Sequence, residues 1–392
     1  MCTQLYFDYA ATTPVKKEVL EEMLPFFNIN FGNPSSIYNI GRQGRNALDI
    51  ARDRVAKTLN SKSEEIFFTG GGSESDNWAI KGVAFANRDK GNHIITSKIE
   101  HHAVLHTCEY LEKEGFEITY LDVDKYGLVG VDDLKNAIRD NTILVSIMYA
   151  NNEIGTIQPI KELAQIAKKS GIIFHTDAVQ AYGNEIIDVN DLGVDLLSIS
   201  AHKIYGPKGV GALYIKKGTK IQQLIHGGGQ EKKRRAGTEN MPGIVGLGKA
   251  AEMAYENIEE HIDRLTRLRD KLIDGIMTKI PYTRLNGHPT KRLPGNVNIS
   301  FEFIEGESIL LSLDMEGIAA SSGSACTSGS LGPSHVLAAI GLSHEIAHGS
   351  LRLTIGDFTT EDEINYVVEK LQSIVDRLRQ ISPLYEKVKR GK

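Results

Sequence analysis

Four short stretches of this sequence concentrate residue types that polar catalysis uses, and three of them follow apolar, strand-like runs. The first is Thr69-Gly70-Gly71-Gly72-Ser73-Glu74-Ser75-Asp76, between Ile66 to Phe68 and a helical pattern with Trp78, Ala79 and Val83. Glycines let backbone amides approach an anion, and a helix start favours negative charge. Ser73 adds a hydroxyl donor, so Gly72 and Ser73 suit a phosphate. A tight turn with a serine cap has the same composition, and the stretch is neither a Walker loop nor G-x-G-x-x-G.

The second stretch is His175-Thr176-Asp177-Ala178-Val179-Gln180, at the end of the run Ile172 to His175. In open α/β sheets ligands bind beyond the carboxyl ends of strands. A carboxylate there can hold a protonated ring nitrogen and make that ring a better electron sink. Capping of a following helix by Asp177 is the other reading.

The third, Ser200-Ala201-His202-Lys203-Ile204-Tyr205-Gly206-Pro207-Lys208-Gly209, follows Leu196 to Ile199. A lysine beyond a strand end, with Ser200 and His202 beside it, suits a Schiff base next to a phosphate. A solvated loop lysine is the bland alternative, but Tyr205, Gly206 and Pro207 make the loop stiffer than a surface lysine requires.

The fourth, Ser321 to Pro333, is small, rich in glycine and serine, and contains Cys326. Such a segment is expected to be mobile and its cysteine exposed. Cys108, in the helical run Val104 to Leu111, is expected to pack as a small core hydrophobe. His101 and His102 follow the run at Ile94; adjacent histidines point apart, which disfavours a two-ligand metal site and leaves one free to stack on a planar group or move a proton. Arg352 can form a bidentate pair with a carboxylate; a surface salt bridge is its alternative.

The elements that must position these groups alternate. Strand candidates are Ile66 to Phe68, Ile94 to Ser97, Thr142 to Tyr149, Ile172 to His175 and Leu196 to Ile199. Helical stripes lie between them, as in Ala47, Leu48, Ala51, Val55 and Leu59, and in Leu163, Ile166 and Ala167 before a capping Gly171. This order predicts an α/β layer with a largely parallel sheet over about residues 15–255. Beyond it, a helix through Ile258, Ile262, Leu265, Leu268, Leu272 and Ile276 opens a different pattern. Strand-like segments around Asn296 to Phe303 and Leu351 to Thr354 follow, then a last long helix opened by the capping-box pair Thr360 and Glu363. This part is expected to form a smaller α+β domain, residues 256–392 joined by the N-terminal arm, 1–14.

Composition narrows the class. The chain has 392 residues, net charge −5, 41% hydrophobic and 24% charged residues. That is ordinary for a soluble globular protein and argues against a general nucleic-acid binder. The basic run Lys232 to Arg235 is local and reads as a solvated loop. Three scattered cysteines make no disulfide framework, no signal peptide is evident, and no apolar run is long enough to span a membrane. A cytoplasmic location is expected.

Together these stretches resemble the class V aminotransferase group of fold-type I pyridoxal-phosphate enzymes, and within it the cysteine desulfurases of the NifS/IscS kind. The resemblance runs from Leu5-Tyr6-Phe7-Asp8-Tyr9-Ala10-Ala11-Thr12-Thr13-Pro14 to the final helix. Its most specific parts are S-x-H-K-I-Y-G-P-K-G at 200–209 and S-S-G-S-A-C-T-S at 321–328. It implies pyridoxal 5′-phosphate as cofactor, with Lys203 as its covalent anchor and His101 stacked on its ring. Asp177 is implied at the ring nitrogen, Gln180 at the phenolic oxygen, and Gly72, Ser73, Ser200 and His202 around the phosphate. Thr238 is implied to reach the other subunit's cofactor in a homodimer. Asn152 and Arg352 are implied to hold the substrate carboxylate, and Cys326 to take sulfur from L-cysteine as a persulfide, leaving L-alanine. A sulfur-acceptor protein such as an iron–sulfur scaffold is implied as partner; Cys326 is the residue that would touch a transferred cluster. No other metal, nucleic acid or membrane is implied. Ser73 stands for a common threonine, Ala201 for a frequent glycine and Gly332 for a frequent glutamate. Selenocysteine lyase and aminotransferase reactions on the same fold are the alternatives, and a catalytically idle regulator is another. The intact Lys203, Asp177 and Cys326 speak against the idle form, and the S-S-G-S-A-C-T-S stretch against the aminotransferase.

Overall fold

Runs of four or five residues, mostly apolar and buried except at the edge strand, build the central layer of the computed structural model, which describes residues 4–322 and 334–390. Seven strands lie in the order Ile66–Thr69, Gly211–Ile215, Leu196–Ser200, Ile173–Asp177, Thr142–Ser146, His93–Ser97 and Glu117–Leu121. All the strand pairs from Leu196–Ser200 to Glu117–Leu121 are parallel. Gly211–Ile215 runs antiparallel to both its neighbours. Continuous hydrophobic strands are what a sheet covered on both faces requires. One face meets Leu48, Ala51 and Val55 of the helix Asn39–Thr58 together with Leu247 and Ala251. The other meets Trp78, Val83, Val104 and Cys108. Cys108 is a fully buried core residue.

A second cluster surrounds the three-stranded antiparallel sheet Thr283–Leu285, Asn296–Phe301 and Ser350–Thr354. Helices Ile258–Lys279 and Glu361–Gln380 cover it through Leu265, Leu272, Val367 and Leu371. Thr360 caps the latter helix, exchanging bonds with Glu363 as a capping box. The N-terminal strand Leu5–Tyr6 pairs in parallel with Ile318–Ala319, and Phe7, which follows it, joins this cluster. Among the described residues no helix is long and apolar enough to cross a membrane.

Two strands of the central sheet, Glu117–Leu121 and Gly211–Ile215, and the short strands Leu5–Tyr6, Thr283–Leu285 and Ile318–Ala319 are not among the sequence's strand candidates. The expected strand Thr142 to Tyr149 ends at Ser146, although Ile147 and Tyr149 still donate to the carbonyls of His175 and Asp177. The basic run is not uniformly solvated. Lys232 and Lys233 are exposed with left-handed backbone, but Arg235 clamps Glu74 through two bonds of 2.9 and 3.0 Å.

Candidate active site

Asp177 ends one strand, and Lys203 lies three residues past the end of the neighbouring strand, Leu196–Ser200. The turn carrying Lys203 is pinned: Gly206 and Ile204 both donate backbone N–H groups to the Ala201 carbonyl. Tyr205 holds a left-handed conformation at φ 63°, fixed by its own N–H bond to Thr13. Lys203 Nζ donates to the carbonyls of Ala10 and Ala11, so the N-terminal arm crosses directly over it. Gln180 Nε2 donates to the same Ala10 carbonyl at 3.0 Å.

Asp177 is buried, and Oδ1 accepts from the Val179 N–H at 2.9 Å. No helix begins there, so Asp177 caps a turn rather than a helix. Burial raises its carboxyl above the usual range, opposed by the Val179 N–H and the Lys203 charge. Behind it lies Asp76, also buried, 3.7 Å from His175 Nε2. Burial, reinforced by the nearby Asp177 charge, pushes Asp76 well up, which favours its neutral form. His175 bonds Ser146 and Ser198 and is held neutral by burial, its pKa lowered to about 3.

His101 caps the helix His102–Lys113, its Nδ1 accepting from the Ala103 N–H at 3.1 Å. Burial, then the Lys203 charge and the His102 and His106 rings, lower its pKa to about 4. A neutral ring whose Nδ1 accepts must carry its proton on Nε2. His101 can therefore donate from Nε2 with its cap intact.

Gly71, at φ 147°, turns the chain into the helix Gly72–Ala86. A Cβ on Gly72 would stand 2.7 Å from Val179 Cγ2 and 3.5 Å from Ser200 Cβ. Gly72, Ser200 and the turn after Asp177 are thus in close approach, with the first amides of the helix and the exposed Ser73 at its start. His202 is neutral, lowered to about 4 by burial and by Lys203 and Lys208, and Nδ1 meets Thr12 Oγ1 at 3.1 Å. Thr238 is exposed, on the loop that Arg235 fixes to Glu74.

Arg352 is buried rather than a surface ion pair. Nη2 donates to Asp8 at 2.8 Å and Nη1 to the Asn152 carbonyl at 3.1 Å. Its buried Nε has no partner among the described residues. Asn152 and Arg352 are thus brought together. Cys326 lies outside the described residues, but Ser321 and Ser334 flank that segment. Ser321 exchanges backbone bonds with Arg352. Ser334 caps the helix His335–Ala339 and donates to Glu153, beside Asn152.

Sequence reasoning assigned no role to Asp8, Asp76 or Glu153. Each stands inside or next to a stretch it had singled out, so position was available as a signal while burial was not. A lysine amine, a buried carboxylate and a helix start beside two hydroxyls fit a phosphorylated aldehyde with a basic ring nitrogen. The crowding at Gly72 leaves backbone amides, not a side chain, facing that space.

The aminotransferase class-V family model matches residues 5–367. A cysteine desulfurase IscS of Methanosarcina thermophila is 63% identical over 383 residues, 98% of this chain and 95% of that protein. A solved NifS-like protein aligns with TM-score 0.90 at 40% identity, over 96% of this chain and 100% of that one. A solved SspA in complex with cysteine aligns with TM-score 0.81 at 40% identity, over 91% of this chain and 100% of that one. With this fold and this coverage, the chain belongs to the class-V aminotransferase family, among its cysteine desulfurase members.

Proposed function

We propose that this protein is a pyridoxal 5′-phosphate-dependent cysteine desulfurase that converts L-cysteine to L-alanine and receives the sulfur on Cys326. The observation that carries this reading is the placement of Lys203 and Asp177 at the ends of adjacent parallel strands, with a carboxylate-binding arginine, Arg352, facing the arm that covers Lys203. Lys203 would anchor the cofactor, Asp177 would accept the ring N–H, and Gly72, Ser73, Ser200 and His202 would surround the phosphate. When bound, pyridoxal 5′-phosphate supplies an electron sink for the bonds around the substrate Cα.

The chain's own groups divide the remaining work. Arg352, which keeps an unused buried Nε, and Asn152 hold the substrate carboxylate. Lys203 takes and returns the proton at Cα, while His101 donates from Nε2. The Cys326 thiolate attacks the substrate sulfur; the Cβ–S bond breaks as the S–S bond forms. Cysteine plus the Cys326 thiol becomes alanine plus a Cys326 persulfide, so atoms and electrons balance. An acceptor protein, such as an iron–sulfur scaffold, takes the sulfur onward. The exposed Thr238, on a loop clamped to the helix that starts at Gly72, supports a homodimer in which it reaches the partner's phosphate. A protein without a membrane-spanning helix among its described residues suits a cytoplasmic role.

The test is to give holoenzyme labelled cysteine without an acceptor. Alanine and protein-bound persulfide should form in equal amounts; alanine with free sulfide and no protein-bound sulfur would overturn the reading.

A further inference from the structure

We propose that His344 and His348 form a surface binding site for a divalent transition-metal ion of the imidazole-preferring class. The segment Ser343-His344-Glu345-Ile346-Ala347-His348 places the histidines four residues apart. On the helix His344–His348 that spacing puts them on one face, a turn apart. The side chains are already arranged for chelation. Their Nε2 atoms are 3.2 Å apart and their ring centroids 4.2 Å apart. Metal–nitrogen bonds of about 2.05 Å to nitrogens 3.2 Å apart subtend about 103° at the ion, between octahedral and tetrahedral angles. Binding requires both histidines in the tautomer that carries its proton on Nδ1, so that each Nε2 offers a lone pair to the ion.

The base of the site is firm. Leu342 and Ala347 are buried, and Ser343 Oγ caps the helix by accepting the Ile346 N–H. Both histidines line a groove of about 790 Å³ with Glu305, Ser308 and Glu345, which leaves room for coordinated water. Among the described residues no third histidine, cysteine or carboxylate completes a ligand set. The segment reads H-E-x-x-H, but catalytic zinc centres use three protein ligands. Two imidazoles make an ion-holding site whose other positions are water. Neutral imidazole favours zinc, nickel and copper over magnesium and calcium.

The test uses holoenzyme carrying Cys326→Ser, which removes a competing thiol. It is titrated calorimetrically with NiCl2 and ZnCl2, beside the same protein with His344→Ala or His348→Ala added. One ion per chain should bind the parent protein at this site, and either substitution should weaken that binding about tenfold or more. Equal affinity and stoichiometry in all three proteins, or no ion bound by the parent, would overturn the proposal.

Discussion

Arg352 donates to Asp8 across 2.8 Å while its backbone pairs with Ser321, at the edge of the segment that holds Cys326. One residue thus joins the N-terminal arm, the proposed substrate carboxylate site and Ser321, a described residue that precedes the segment of Cys326. Asp8 pairs with the buried guanidinium through Nη2, and Nε keeps no partner among the described residues, which is the donor the proposed role would use. Arg352→Lys keeps the charge but loses the fork geometry. Its KM for cysteine should rise about tenfold or more, a loss of about 1.4 kcal/mol. Cofactor content should stay at the native level, and Asp8→Asn should move KM less. Steady-state kinetics with absorbance-measured cofactor loading separates these effects.

Lys203→Ala should abolish turnover and the visible absorbance of covalently held cofactor, with the fold retained. Lys203 also helps hold His101 in its neutral form. Its removal should therefore raise the His101 pKa, which a histidine NMR titration reads.

Glu153 gives a pH signature. Burial raises its pKa from the usual 4.5 to about 7, opposed by Ser334 and Arg352. The folded protein then binds a proton more tightly than the unfolded chain does. That contribution is complete below the unfolded value and is lost as pH rises through about 7. Native stability should fall relative to Glu153→Gln as pH rises between these values. Parallel thermal melts of the two proteins check the sign.

Gly72→Ala should impair the phosphate end of the site. The added methyl meets Val179 at 2.7 Å, so Val179 or the helix start must shift. Overpacking of this kind costs about 1–3 kcal/mol. The apoprotein should melt earlier, and cofactor affinity should fall beyond what the stability loss explains, as equilibrium dialysis would show.

The sheet was legible where strands are short, apolar and followed by helices. Glu117–Leu121 is an edge strand, half exposed, in which polar and apolar residues alternate, unlike the continuous apolar runs of the inner strands. Gly211–Ile215 escaped because it follows a Gly-rich turn with no helix before it and runs antiparallel. The positions of Asp177 at a strand end and Lys203 just beyond the next one were legible, as was a carboxylate partner for Arg352, here Asp8. The tautomer of His101 was not, because the Ala103 cap fixes it. Nor were the buried carboxyls Asp76 and Glu153, since their protonation follows from tertiary burial that spacing does not encode.

The most direct measurement is peptide mapping of the sulfur after holoenzyme meets labelled cysteine, with native and Cys326→Ser proteins compared. The native protein should carry one persulfide, on the peptide containing Cys326, with an equal amount of alanine released. The Cys326→Ser protein should keep its cofactor absorbance and carry none. Persulfide on another cysteine, or alanine released by Cys326→Ser at the native rate, would contradict the assignment of Cys326 as the sulfur acceptor.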